Sequence, residues 1–251
     1  MLKAQLRQRN KLRGQMAGDS FRSFGYIGLV AQKSIGERNL PCPICKKRKA
    51  QRYCPAKGEN ICSVCCGTER EVTIDCPSDC AYLIASRTYG LERKKFDWSK
   101  LPFADIKIPS SFAQGHVPLL NALTYTVSAF ARDNASTVDT DVVASLQALA
   151  ESYRTLSSGL YYEKPPDHRL QRELYDRLKG GIEEFKKAEA QNSNATVVRD
   201  GDIRDALIFF TQLGATYMNG RPKGRAYLDM LRSQIKSEEF AKPASNIVLL
   251  P

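Results

Sequence analysis

From residue 117 onward, the hydrophobic positions recur with the period of a helix. Leu119, Leu123, Val127 and Phe130 mark one apolar stripe. Val142, Leu146, Leu149, Tyr153, Leu156 and Leu160 mark a second, in steps of 4, 3, 4, 3 and 4, the clearest periodic signal in the chain. A third helix is expected after Pro165-Pro166-Asp167, with Asp167 as N-cap and Leu170, Leu174, Leu178, Ile182 and Phe185 on its inner face. Gly180 and Gly181 weaken it internally and predict a kink or a point of close packing. Ile203, Ala206, Leu207, Phe210, Leu213 and Tyr217 form the fourth stripe, entered from Asp200 or Asp202, and Tyr227, Met230, Leu231 and Ile235 form the fifth. Short connections make neighbouring helices antiparallel. The pattern predicts a mainly α chain whose C-terminal part is an antiparallel helical bundle, either five helices or two hairpins with a closing helix. No period of about 34 residues runs through three units, which a helical solenoid would need.

Upstream the periodicity stops. Residues 100–115, with Pro102, Pro109 and Gly115, read as an ordered linker, and Ile106-Lys107-Ile108 as one short extended piece. Before the linker come all eight cysteines of the chain: Cys42, Cys45, Cys54, Cys62, Cys65, Cys66, Cys76 and Cys80. Eight thiolates make two tetrahedral sites, and the pairs Cys42/Cys45 and Cys62/Cys65 have the short spacing of structural zinc. No histidine lies among them, so each site would be all sulfur, a donor set that suits zinc and also iron–sulfur clusters. The short pairs favour two zinc ions. Disulfides are the competing use of an even cysteine count. Against them, the N-terminus is charged and polar, and its longest apolar stretch, 26–31, is too short for a signal peptide or a membrane span. The expected setting is cytoplasmic and reducing. Cys76 and Cys80 are four apart with Pro77 suited to a first helical position, so both sulfurs are expected on one side of a helix start that continues through Ala81–Ala85. The expected division is a basic arm over 1–40, a zinc module with its exit helix over 41–95, a linker over 96–116 and a helical bundle over 117–251.

Charge adds a second kind of information. The formal net charge is +11, and residues 1–53 carry 13 Lys and Arg against Asp19 and Glu37 alone, while the rest of the chain is balanced. Two all-cysteine zinc sites would lower the total to about +7, beside the arm. Lys46, Lys47, Arg48, Lys49 and Arg52 follow the first cysteine pair and would be drawn to phosphate backbones or an acidic protein surface. Solubility is the plainer use of such a run. Aromatic residues for stacking are few there: Phe21, Phe24, Tyr26 and Tyr53. Met16 is an alternative start, in which case residues 1–15 are not part of the protein.

The segment from Cys42 to Cys80 resembles the cross-brace zinc fingers of the HIT and MYND type, whose third ligand pair reads Cys-Ser-x-x-Cys, as Cys62-Ser63-Val64-Cys65-Cys66 does with Cys62 and Cys66. The resemblance implies Cys42, Cys45, Cys62 and Cys66 at one metal and Cys54, Cys65, Cys76 and Cys80 at the other. It departs from that pattern at Lys57, where a cysteine belongs, and at Cys76, where the family has histidine. It also implies a protein-interaction module, and it does not extend beyond the cysteines.

Candidate catalytic chemistry is sparse. His116 and His168 are the only histidines and neither accompanies a nucleophile motif; no Walker loop or dinucleotide fingerprint is present. The turn Asn219-Gly220-Arg221-Pro222-Lys223-Gly224-Arg225 contains the Gly-Arg-Pro-Lys core of a minor-groove AT-hook, with Asn219 in place of the first arginine. Its simpler reading is a helix–helix turn that gives the bundle a basic edge. The expectation is a zinc protein that is not an enzyme and acts as an interaction or regulatory module with a protein partner and no membrane. The alternatives are a nucleic-acid-binding protein using the arm and first knuckle, and a thiol redox or metal sensor using the vicinal Cys65-Cys66 pair.

Overall fold

The computed structural model describes residues 40–235 apart from 96, 158, 161 and 192–197. The expected basic arm therefore lies outside the described residues, as do residues 236–251 at the end of the expected bundle.

Two short strands, β1 (Arg52–Cys54) and β2 (Glu59–Ile61), pair antiparallel with Tyr53 opposite Asn60. Gly58, at a φ of +68°, makes the tight return between them. All other regular elements are helical: α1 (Ser63–Glu69), α2 (Ala81–Arg93), a 3-10 turn at Trp98–Lys100, α3 (Phe112–Gly115), α4 (Val117–Asp133), α5 (Asp139–Ser157), α6 (Arg169–Gln191), α7 (Asp200–Tyr217) and α8 (Ala226–Arg232). The chain is mainly α, with the cysteines ahead of the bundle, as the pattern of apolar positions predicts.

Helix α5 is the hub of the bundle and packs on α6, α7 and α8, while α4 packs on α6 and α8. The predicted stripes supply the core: Leu119, Leu123 and Val127 from α4, Val142, Leu146 and Leu149 from α5, Leu174, Leu178 and Ile182 from α6, and Ile203, Ala206 and Leu207 from α7 are all buried. Each large side chain so buried contributes about 1.5–3 kcal/mol relative to leaving it in water. Several polar groups inside are matched, whereas the buried Ser128 hydroxyl has no hydrogen-bond partner among the described residues. Ser152 Oγ lies 3.1 Å from the Tyr175 hydroxyl, Ser145 Oγ donates to the Gln171 carbonyl at 2.8 Å, and the Asp139 carboxylate accepts from the Tyr227 and Leu228 amides that open α8. Of the two adjacent glycines in α6, Gly181 is the close-packing point: a Cβ there would meet Thr126 Oγ1 of α4 at 3.0 Å, whereas Gly180 has open space.

Several local expectations differ from the structure: helix α8 ends at Arg232, short of Ile235, and α7 is capped by Arg199, with Asp200 and Asp202 inside its first turn. Ile106-Lys107-Ile108 forms no strand; Ile106 and Ile108 instead pack individually against the core beside buried Phe103. Helix α6 starts at Arg169, so Asp167 stands outside it, exposed, and the first-turn amide of Arg172 bonds to the His168 carbonyl. Helix α5 ends at Ser157, leaving Leu160 beyond the stripe and exposed. Pro77 is not a first helical residue, because Cys80, with extended backbone, is the N-cap of α2.

A second, smaller apolar cluster of Cys42, Cys54, Ile61, Cys62, Cys65 and Ile74 is separate from the main core. Polar contacts join its loop, residues 69–78, to the bundle. Arg221 donates to the carbonyls of Gly67 and Arg70; Lys223 donates through its amide to Glu71 and through its ammonium to Thr73; Asn219 donates to the Glu71 carboxylate; Arg225 pairs with Asp75. The turn read from sequence as a basic edge or AT-hook core is thus occupied in holding the cysteine module. Helix α2 adds to the join: Arg87 spans Glu71 and Asp229 at 2.6 Å each, and the Lys94 ammonium sits on the carbonyls of Thr216 and Met218 at the end of α7. A cation at that end meets the negative pole of the helix.

Candidate metal centre

The first cysteine pair is a knuckle built by backbone bonds. The Lys46 amide donates to the Cys42 carbonyl at 2.7 Å, the Cys42 amide donates to Arg48 at 2.7 Å, and Lys46 takes a φ of +53°, a left-handed position that most often holds glycine. The β1–β2 hairpin then returns the chain so that Cys62, at the end of β2, N-caps α1 and accepts the Cys65 amide at 3.3 Å. The four sulfurs of Cys42, Cys45, Cys62 and Cys65 consequently lie within 4.8 Å of one another. Cys45 Sγ and Cys62 Sγ are 3.9 Å apart. The edge of a zinc–sulfur tetrahedron with bonds of about 2.3 Å is about 3.8 Å, so donor type and spacing both fit zinc.

The electrostatics describe a site built for a cation. The Lys47 and Arg48 amides pull the Cys45 thiol down to about 6. Burial pushes the Cys42 thiol up, but the amides of Cys45, Cys62 and Ile44 outweigh it and hold the thiol below its ordinary value. Burial, followed by the shared hydrogen bonds of Cys62, Cys45 and Cys42, pushes the Cys65 thiol up to about 12. Successive thiolates in one buried group repel, and a divalent cation relieves that repulsion.

This group contains Cys65 where the cross-brace resemblance implies Cys66. The reason is helical geometry: Cys62 caps α1, so the residue three further on turns back over it, and the next residue is rotated about 100° around the axis. Cys66 instead accepts a hydrogen bond from the guanidinium of buried Arg70 at 3.5 Å. Burial first, then charge on Cys80 and Cys54, raises the Cys76 thiol, against a lowering contact from the Glu71 amide.

The basic run remains at the surface. Lys46, Lys47, Arg48 and Lys49 are exposed, and Arg52, half-buried, places its guanidinium 4.8 Å above the ring of Tyr82. None of these five has a carboxylate partner among the described residues. The histidines are apart from the cysteines: His116 stacks on Phe112 with 4.2 Å between ring centres, and exposed His168 lies 3.9 Å from Asp141. Sequence reasoning did not pick out Glu71, Arg87 and Asp229, which position the cysteine module; single charged residues outside any motif carry no local signal. Among the described residues no helix is long and apolar enough to cross a membrane.

Comparison with protein-family models, curated proteins and solved structures finds no match to this chain.

Proposed function

We propose that this protein is a zinc-structured interaction or regulatory module and not an enzyme, with a cytoplasmic setting and a protein partner. The carrying observation is the closed group of Cys42, Cys45, Cys62 and Cys65: four sulfurs complete a tetrahedron and leave no position for substrate or reactive water. The finer reading is a second zinc held by Cys54, Cys66, Cys76 and Cys80. Supporting it are the charge of Cys80 and Cys54 felt at the Cys76 thiol and the hydrogen bond that the Arg70 guanidinium gives the Cys66 sulfur. A protein partner is supported by one flank of α2, where Ile84 and Leu91 are about half exposed. The division of the vicinal cysteines, Cys65 toward the four-sulfur group and Cys66 toward Arg70, argues for structural use over a thiol sensor.

A second reading, nucleic-acid binding, is favoured by one observation: among the described residues Lys46, Lys47, Arg48, Lys49 and Arg52 have no carboxylate partner, while the cations of the turn at 219–225 are engaged.

The test is elemental analysis of protein purified without added metal, with a thiol count under denaturing conditions in chelator, on the native chain and on Cys66→Ser. Two zincs and eight thiols are expected for the native chain, and one zinc for C66S. Iron, or fewer thiols without metal, would overturn the structural-zinc reading; two zincs in C66S would overturn the second ligand set.

A further inference from the structure

Helix α2 is divided lengthwise into stripes, because residues three and four apart share a side. Leu83, Arg87, Gly90 and Lys94 form the inner stripe, with Leu83 buried and both cations bound to the bundle. Ile84, Thr88 and Leu91 form a flanking stripe, about half exposed at Ile84 and Leu91. Tyr82, Ser86, Tyr89 and Arg93 form a third stripe, and its two rings stand in solvent, Tyr82 38% and Tyr89 56% exposed.

Each ring carries a guanidinium. Arg52 lies 4.8 Å over Tyr82 and Arg93 4.2 Å over Tyr89. The rings are seven residues apart, about 10 Å along the helix. Through Arg52 this stripe reaches β1 of the cysteine module. The same module carries Lys46, Lys47, Arg48 and Lys49 on its first knuckle. Among the described residues, Arg93 also lacks a carboxylate partner, so these cations have no countercharge bound to them, and two of them lie over exposed rings.

These two properties select a ligand. An acidic peptide would use the cations and leave the rings without a role, and a duplex hides its base faces and is read by an element that enters a groove. A single strand offers phosphates to the cations and unstacked bases to the rings, and guanidinium groups over aromatic faces add a cation–π contribution to such stacking. The geometry points to a single-stranded nucleic-acid interface in which Tyr82 and Tyr89, with Arg52 and Arg93, stack bases while Lys46, Lys47, Arg48 and Lys49 hold phosphates. This deepens the nucleic-acid reading above and rests on the cysteine module being folded around zinc.

The test is fluorescence anisotropy of a labelled oligothymidylate of about fifteen nucleotides, a length near the upper end of common single-strand site sizes, titrated with zinc-loaded full-length chain. Salt is varied from about 50 to 200 mM, with a matched duplex and poly-glutamate as competitors. Y82L/Y89L is expected to weaken binding at least about tenfold without changing its salt dependence, because it removes stacking and no charge. Y82F/Y89F, which keeps both rings, should bind as the native chain does. K46Q/K47Q/R48Q/K49Q should flatten the salt dependence. Metal content and helicity are recorded for each variant; the tyrosines are exposed, so neither pair of substitutions should disturb the fold. Native affinity in Y82L/Y89L overturns the proposal, as does displacement by poly-glutamate or preference for the duplex. Zinc-loaded native protein that ignores the oligonucleotide fails this proposal and leaves the zinc reading standing; protein that neither holds zinc nor binds overturns both.

Discussion

Arg87 of α2 holds Asp229 of α8 through Nη1 at 2.6 Å, and its Nη2 holds Glu71, beside the cysteines, at the same distance. Glu71 is only 2% exposed, has a φ of +53°, and is reached also by Asn219. One guanidinium therefore connects three segments far apart in sequence. Because the two apolar clusters are separate, polar contacts of this kind carry much of the join between module and bundle.

Arg87→Met should therefore be costly. It leaves Glu71 buried without its cation, and the loss is expected to be about 3 kcal/mol, the usual scale for breaking a buried pair from one side. Denaturant unfolding of the zinc-loaded chain reads this value. Hydrogen exchange should show the extra opening concentrated in residues 69–78. A change under about 0.5 kcal/mol, the range of ordinary surface substitutions, would mean that the backbone contacts of Arg221 and Lys223 suffice by themselves.

A pH dependence follows from Asp139. Burial raises its carboxyl to about 6, against lowering contacts from the Leu228 and Tyr227 amides and the charge of Arg87; the charge of Asp229 adds to the rise. A raised acid binds its proton more tightly in the folded chain than in the unfolded one. Its favourable contribution is thus fully present below the ordinary value of 3.8 and is lost as pH rises through about 6. The difference in stability between the native chain and Asp139→Asn, measured at matched zinc occupancy from pH 4 to 7, should change by at most about 3 kcal/mol in that direction. A flat difference would show that the carboxyl does not titrate there.

Gly214 of α7 lies where α5 and α8 meet. An added Cβ would stand 2.5 Å from Val143 Cγ2 and 2.9 Å from Tyr227 Cε1, and Tyr227 is fully buried with its hydroxyl on the Phe210 carbonyl. Gly214→Ala should destabilise the bundle by about 2 kcal/mol through overpacking, despite alanine's better helix propensity. Adding Val143→Ala should recover part of the loss, and thermal unfolding of the four-member cycle measures that coupling. Additive effects would place the strain elsewhere.

Much of the architecture was legible before any fold was seen. The α5 stripe from Val142 to Tyr153 entered the core as its spacing predicts, and Ile203, Leu207 and Phe210 followed the same rule. Local endings were less legible. Asp167 is a favourable cap residue that misses the cap position of its helix by one residue, and Leu160 matches the period of a helix that has already stopped. At the cysteines, the residue types pointed to a sulfur site, while the resemblance misassigned one member of an adjacent pair, since one position of helical rotation separates Cys65 from Cys66.

The residues alone determined what depends on short-range geometry and ligand chemistry: the helical repeat, the all-sulfur donor set and the position of the basic run. Tertiary structure decided which charges remain free. Arg225 and Asp75 are 150 positions apart in the chain, and Asn219 and Glu71 are 148 apart, so no local pattern records those pairings. The same Arg and Lys chemistry consequently forms a joint in the turn at 219–225 and, among the described residues, has no carboxylate partner on the first knuckle. Coulomb attraction between side chains depends on their separation in space, and folding alone sets that separation.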